Sequence, residues 1–557
     1  MLADPATARP APTGPKFVAT PVGDQVPRTG VSTRPASADP AASAASSAPD
    51  TATEGYPIGR VLIHTRNIFE PVPPGRAAIF YRMANRLHFR TRSVTVHDQL
   101  LFGPGEPWSG ARGRETARNL RALDFLAPSE ISARREGDSV AVRVETRDVW
   151  STRPEFDLQS SGGRRYGAVA FTESNFAGLG KSISVVYRGL PEGHSHSVSY
   201  SDPGVLGSRA RLHYAASSGG SGASDEVSLG VPFFSEDTPR AYGLSWSRGT
   251  SVLSLFSRGS EVASLNRKIE ETEAYWGMGR REDGVIARVT ASYLIHDRRL
   301  GPSLILSPAP AEFAGGEESE RVRRVSIEGR LWKPRFIERT RVNGYGLVED
   351  FDVGTSLALT AGVGPRIFGS TRDEGYGRAR LDAGTETPFG FGLLHATIST
   401  RLPRQARETI AQLDARWVRQ GRTVGTFVAS ATGIAGLRTA RDFQATVGGL
   451  NGLRAYDVHA VSGTRLWRLN AEERWTVGEN YWESLTVGAV IFTDAARAWG
   501  PGSGGSEWFT SAGTGLRLAL PQWSLGQVLR MDLAWPIQPT RDGKRQPVFS
   551  FGSSQAF

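Results

Sequence analysis

The sequence predicts a transmembrane antiparallel β-barrel behind a small α+β module, and two observations carry that prediction. The first is a strict alternation of apolar and polar residues in many short runs from Tyr166 onward, with turn residues between them. A period of two marks a strand with unlike faces, and no helix produces it. The second is composition: 64 glycines, 13 tryptophans and 22% charged residues, with no run near the ~20 apolar residues that a membrane helix requires. Half of each barrel strand is polar, so a mean hydropathy of -0.30 fits a membrane barrel.

Further bounds come from residue usage. The chain has no cysteine, which excludes disulfides, cysteine-ligated metal sites and a lipoprotein anchor. The net charge is +10, and basic proteins often bind nucleic acid. Here the arginines alternate with apolar residues along strands instead of clustering. Dispersed lumen and loop charge is therefore the reading, and nucleic acid is not an expected partner.

Residues 1–55 are dominated by Ala, Pro, Ser and Thr and are predicted to be a disordered segment. No apolar run of signal-peptide type follows Met1-Leu2-Ala3-Asp4, which stands at odds with an exported barrel. Residues 56–150 change texture. Ile58, Val61 and Ile63 predict a strand, and residues 74–87 a helix with Ile79, Met83 and Leu87 facing a core. A second helix over 113–123 carries Ala117, Leu120 and Leu123 to the same core, and Val140, Val142 and Val144 alternate in a further strand. These elements make a small α+β module.

The barrel is assigned to residues 151–557, with the junction near Pro154 and Phe156. Alternating runs cover 166–173, 181–188, 195–202, 209–216, 225–233 and 241–248. Others surround Tyr275, Val289, Glu328, Leu359, Arg380, His395, Arg416 and Phe427. The polar insertion 309–321 suits an extracellular loop. About fifteen runs, counted by this alternation, precede a glycine-rich loop, Gly448-Gly449-Leu450-Asn451-Gly452-Leu453-Arg454-Ala455-Tyr456. Five come after it, over 464–477, 483–499, 511–520, 528–538 and 547–557. Both numbers are odd, so the barrel begins and ends on one side.

In the first run after the loop, Arg468, Asn470, Glu472 and Arg474 share the polar face. In the second, Thr486, Gly488, Phe492 and Asp494 do. The polar face of a closed barrel is its lumen, so Glu472 and Asp494 face inward and Arg454 can fold in to meet them. A guanidinium suits this role because its planar fork binds carboxylates bidentately and stays charged.

Catalytic motifs are missing. There is no His-Glu-x-x-His, Gly-x-Ser-x-Gly or phosphate-cradling loop. His194 and His196 share one side of a strand start, but no third ligand or orienting acid accompanies them, and they read as a solvated turn. His213 and His395 read as lumen-facing polar residues. Neither enzyme activity nor a cofactor is expected.

Leu453-Arg454-Ala455-Tyr456 resembles the Val-Arg-Gly-Phe/Tyr motif in the sixth extracellular loop of the BamA/TamA superfamily of outer-membrane assembly and translocation proteins. Asn470-Ala471-Glu472-Glu473-Arg474 and Phe492-Thr493-Asp494 resemble the lumen-facing motifs of its following strands. Residues 118–126, with the valine strand after them, resemble a single POTRA domain. Asn175-Phe176-Ala177-Gly178-Leu179-Gly180 and Tyr200-Ser201-Asp202-Pro203 resemble turns of its early strands. Ser550, Gly552 and Phe557 fall where an outer-membrane insertion signal has them, with Gln555 in place of a hydrophobic residue. Two departures stand out. Ala455 replaces the motif glycine, which would be strained at positive φ, and Glu473 falls on the outward face, which places it near an interface if the register is right.

The resemblance implies sixteen strands, eleven of them before the loop, so the expectation is sixteen, with longer strands over-split in the run count. It also implies a bacterial outer-membrane location with the module in the periplasm. The implied activity is insertion or export of polypeptides, with unfolded outer-membrane or secreted clients and the lipid bilayer as partners. A client strand would pair at the module's sheet edge or at the seam between first and last barrel strands, where Gly552 lies mid-strand. Unpaired backbone is costly in lipid, so an imperfect seam templates pairing. A two-partner secretion transporter and a passive outer-membrane solute channel remain alternatives. The channel would need neither loop motif nor module.

Overall fold

Alternation closes on itself in the computed structural model. It describes residues 53–553 except 76–77, 162–163, 191–192, 346–347, 404–406, 422–424, 450–451, 482–484, 504, 506, 521–527, 541–542 and 544. Residues 1–52 of the predicted disordered segment, and Phe557 of the insertion signal, lie outside the described residues.

The amino-terminal module contains strands β1 (Ile58–Arg66), β2 (Leu126–Glu136) and β3 (Ser139–Asp148). Its helices are α1 (Ala78–Leu87), α2 (Ser93–His97) and α3 (Gly110–Arg121). The sheet order is β1-β3-β2, with β3 parallel to β1 and antiparallel to β2. Val140, Val142 and Val144 are fully buried on central β3, against Leu120 of α3 and Phe125. Alternation buries every second residue of a strand that a helix layer covers on one side. β2 was not foreseen, because Pro128 and the charges around it mask its pattern. One prediction for α1 is overturned. Its buried face is Tyr81 and Ala84, while Ile79, Met83 and Leu87 face outward. Periodicity identified an apolar stripe but not what covers it.

The barrel starts with β4 (Thr152–Ser161), β5 (Arg164–Phe176), β6 (Lys181–Leu190), β7 (Gly193–Asp202) and β8 (Arg211–Gly219). It continues through β9 (Gly222–Val231), β10 (Arg240–Ser257), β11 (Ser260–Glu282), β12 (Val285–Leu300) and β13 (Glu318–Lys333). Next come β14 (Thr355–Gly364), β15 (Glu374–Thr387), β16 (Gly390–Leu402), β17 (Arg407–Gln420) and β18 (Gly425–Leu437). The last five are β19 (Arg465–Tyr481), β20 (Leu485–Trp499), β21 (Phe509–Ala519), β22 (Val528–Pro536) and β23 (Val548–Gly552). Each strand pairs antiparallel with its sequence neighbour, and β23 pairs with β4.

Among the described residues the barrel therefore has twenty strands, not the sixteen expected. Fifteen precede the loop and five come after it. The alternating runs were each a whole strand, because every one is bounded by its own reversal of direction. Merging them to fit the family's usual number was the error. Outward positions such as Phe171, Leu244, Trp276, Ile327 and Leu359 form the exposed apolar band of a membrane barrel.

Turns at the barrel end that carries the module hold it in place. Gly178 lies at φ 74°, and a Cβ there would sit 2.2 Å from the Arg90 carbonyl oxygen, so only glycine allows this approach. Arg92 N–H donates to the Gly178 carbonyl (2.9 Å), and Asn175 Nδ2 donates to the Thr91 hydroxyl (2.9 Å). Two turns on, Arg118 of α3 pairs with Glu236 (2.7 Å).

Candidate functional site

Two chain segments fold toward each other inside the barrel. One is the long loop between β18 and β19, which enters as a short hairpin, Ala445–Val447 paired with Val461–Gly463. Gly448 permits the turn: its φ is 156°, and a Cβ would stand 1.9 Å from the Asp457 carbonyl oxygen. At the loop's base, Arg441 donates to the carbonyls of Gly301 (2.8 Å) and Gly315 (2.9 Å), and Asp442 faces Arg298 (3.3 Å). At its tip, Leu453, Ala455 and Tyr456 are buried in one apolar cluster with Leu466, Val490, Phe492, Ala496 and Ala534 of the barrel wall. Ala455 is not among the residues at positive φ, so the alanine in place of the motif glycine is unstrained.

Arg454 is 1% exposed and stands at the centre. Its Nε and Nη2 bind the two Asp494 oxygens at 2.9 and 2.7 Å, and its backbone N–H donates to the same carboxylate. Nη1 donates to Glu472 Oε1 (2.6 Å) and lies 3.4 Å from Asp532 Oδ2. The guanidinium carbon stands 3.3 Å from the centroid of the Phe492 ring, where a cation meets the electron-rich face. Asn470 Nδ2 donates to Asp494 (2.8 Å) and to the Gly452 carbonyl (2.7 Å). Arg517 pairs with Asp532 (2.6 Å), and Arg474 Nε donates to Glu472 (2.7 Å). Paired charges tolerate a dry site only when their hydrogen-bonding positions are filled this way. Tyr456 hydroxyl lies 3.0 Å from the carbonyls of Thr510 and Gln538.

The structure thus brings Arg454, Glu472 and Asp494 together, with Leu453, Ala455 and Tyr456 packed around them. Three contributions were not foreseen: Asp532, Arg517, and Phe492 as a ring under the cation. Asp532 and Arg517 lie on lumen-facing positions of strands whose runs were foreseen, but nothing local marks how far the loop tip reaches. Glu473 pairs with Arg419 (3.6 Å), two residues from where β18 begins. It therefore sits at the barrel rim, where an outward carboxylate meets water.

The second segment is a hairpin between β13 and β14, Phe336–Thr340 paired with Val348–Asp352. It rises from the module's end of the barrel. Ile337, Val342 and Phe351 pack on Phe391, Val418 and Val428 of the wall. Arg474 Nη1 donates to the Val342 carbonyl (2.7 Å), and Arg416 to Asn343 Oδ1 (2.6 Å). Arg474 therefore joins the hairpin to the Arg454 network through Glu472. On its other side, Asp350 takes both a 2.6 and a 2.8 Å bond from Arg121 of α3. No sequence signal pointed to this plug, because its two five-residue strands are half charged.

At the seam, among the described residues, β23 meets β4 through four residue pairs, Phe549↔Ser160 to Gly552↔Asp157. Ser550 and Gly552 of the insertion signal lie in it. Gly552 is the last residue of the strand, not its middle as expected. A Cβ there would meet Asp157 Oδ1 at 2.6 Å and Arg530 Nε at 2.8 Å, both on side chains that would have to move aside.

His194 and His196 lie on the outward face with Tyr187, while His213 bonds Ser201 (2.9 Å) and His395 bonds Asp382 (2.6 Å).

Comparison with protein-family models matches residues 399–557, from the end of β16 through the loop to β23, to the Omp85 superfamily domain. The matched segment is the carboxy-terminal part of the barrel. The loop network and the β23 side of the seam lie inside the matched residues, and β4 lies outside them. A search of curated proteins finds no match. Among solved structures, CdiB from Escherichia coli is 13% identical over 89% of this chain and 76% of that one, with a TM-score of 0.44. CdiB from Acinetobacter baumannii gives 10% over 90% and 74%, also at 0.44. BamA from Haemophilus ducreyi lacking POTRA domains 1-3 gives 13% over 89% and 84%, at 0.38. Likenesses this distant carry no argument about function. The Omp85 match over residues 399–557, together with the closed barrel and its outward apolar band, supports an outer-membrane location.

Proposed function

We propose that this barrel inserts polypeptides into the outer membrane by strand pairing, first at the module's edge and then at the β4–β23 seam. One observation carries the reading. Among the described residues the seam has four residue pairs and its neighbour β22–β23 has five, whereas every other barrel interface has at least eight. Fewer ladder bonds make this the place where lateral opening costs least, and an opened edge in lipid demands a new partner strand. The lumen, meanwhile, is filled from one end by the 438–463 loop and from the other by the 336–352 hairpin.

The module acts as a periplasmic POTRA-like domain in this reading. β2 is an edge strand with no ladder partner on its outer side among the described residues, so an extended client can add there through backbone bonds alone. The Arg454 network keeps the wall beside the seam in one shape. No nucleotide or cofactor enters the cycle.

The cysteine-free chain makes the test clean. Leu158→Cys with Phe551→Cys places two thiols at directly paired positions, within the roughly 7 Å between Cα atoms that a disulfide tolerates. Oxidised protein in liposomes should fail to insert an unfolded barrel client, and reduction should restore insertion. Equal activity of the oxidised and reduced forms would overturn lateral insertion. Loss of transport on tethering the hairpin, through Asn343→Cys with Arg416→Cys, would then favour the two-partner secretion alternative.

A further inference from the structure

The module carries an apolar face that its own core does not use. On α1, Ile79, Phe80, Met83 and Leu87 are 62%, 59%, 51% and 68% exposed. Ile79, Met83 and Leu87 have a four-residue spacing, which stacks them in one stripe along the helix, and Phe80 widens it. Tyr81 and Ala84 hold the opposite side to the module. Arg82 and Arg86 flank the stripe, and among the described residues neither makes an ion pair.

Residues just beyond α1 fix its position. His88 Nε2 binds buried Asp148 (2.7 Å), Thr91 N–H donates to the same carboxylate (2.8 Å), and Asn175 Nδ2 donates to the Phe89 carbonyl (3.1 Å). These bonds seat the helix end on the turn after β5. There Phe89 packs edge-on against Phe176, with ring centroids 5.7 Å apart. A register shift in β5 sets Phe176 opposite Lys181, on the same outward face of the sheet as Val185 and Tyr187. That face is the one the barrel turns to lipid. The stripe of α1 thus continues the barrel's apolar band past its rim.

We propose that α1 lies in the headgroup layer of the membrane leaflet on the module's side, with its apolar stripe in the acyl boundary and Arg82 and Arg86 on lipid phosphates. An amphipathic helix with one basic flank is the element that lies in such an interface. A polypeptide client could cover the same stripe, but continuity with the lipid-facing sheet favours lipid. The inference rests on the outer-membrane reading of the barrel and is independent of any client role of the module.

A single cysteine at Met83→Cys, labelled with an environment-sensitive fluorophore, tests it in the full-length protein. The vesicles contain phosphatidylethanolamine and phosphatidylglycerol, with lipid-borne quencher added at the chain-top position. Phe171→Cys on the outward barrel face reports insertion, and Asp138→Cys in the exposed β2–β3 turn reports water. The expected result is strong quenching by lipid at positions 83 and 171, and iodide quenching only at 138. Iodide quenching at 83 alongside lipid quenching at 171 would overturn the proposal while leaving the barrel's location intact. Lipid protection at neither position would overturn the membrane reading itself. Protection at 83 only after adding an unfolded barrel polypeptide would overturn the lipid assignment in favour of a client.

Discussion

Arg454 touches carboxylates from three strands, β19, β20 and β22, whereas among the described residues the seam one strand further on has four residue pairs. The two regions are nearly adjacent: Asp532 of the network is paired to Ser550 of β23. The network clamps the wall up to β22, and β23 is the first strand outside the clamp. In the proposed cycle, opening is thereby steered to one side of one strand. A uniformly weak barrel would fray anywhere, and a uniformly strong one would never accept a partner.

The largest expected effect comes from removing the clamp. Arg454→Ala strands Asp494, whose remaining bonds to Asn470 and Ser511 are neutral. Breaking a buried pair by deleting one partner costs about 3–5 kcal/mol. Denaturant unfolding should show that loss, and protease should cut the 438–463 loop. Full loop protection in the variant would mean that the network is not what holds the loop.

A smaller effect is expected at the seam. Gly552→Val must push aside Asp157 and Arg530, both flexible side-chain ends, so the cost falls toward the lower end of the ~1–3 kcal/mol typical of overpacking. The unheated, fast-migrating band should convert at a lower temperature while the loop stays protected. Joint loosening of loop and seam would show that they are one unit and would break the comparison.

Within the clamp, Tyr456→Phe removes a hydroxyl bonded between β21 and the segment after β22 but leaves the ring packed on Phe509. One hydrogen bond of this kind is worth about 1 kcal/mol. An effect as large as that of Arg454→Ala would mean that apolar packing of the tip, not the charge network, dominates.

Much of this was legible in the sequence because a barrel strand needs only period two, and Glu472, Asn470 and Asp494 declare their face by position. Even the strand number stood in the run count until it was overruled by analogy. What stayed hidden has a common cause. Alternation tells which way a side chain points, not what arrives from elsewhere in the chain. So nothing in the runs 511–520 and 528–538 marked Arg517 or Asp532 as partners of the loop. The plug hairpin was unseen because Glu338, Arg339, Glu349 and Asp350 give its short strands the look of a polar turn. The α1 stripe was read as core for the same reason: an apolar face proclaims a need for cover and not its source.

The smallest expected effect reaches the seam from outside both regions, through the seat of the module. Glu115 of α3 is buried against the β9–β10 turn, accepting the Glu236 N–H at 2.7 Å. Burial, and next the neighbouring Glu236 carboxylate, push its pKa up to about 7, with Arg118 and Asp237 acting in opposite directions as weaker influences. Free of the turn, the carboxyl returns toward its ordinary 4.5. The docked state therefore binds the extra proton, so docking is favoured at low pH and weakens as pH rises through about 7. The Arg118–Glu236 and Arg121–Asp350 pairs also hold the seat, so it loosens without release. Distance measurements between spin labels on the module and the turn should broaden from pH ~5 to ~8 in the native protein. Glu115→Gln keeps the acceptor and removes the charge, and its distribution should stay narrow throughout. If the seam opens more readily at high pH in the native protein and not in the variant, the module sets how loosely β4 is held. If the seam is indifferent, its weakness belongs to β23 alone.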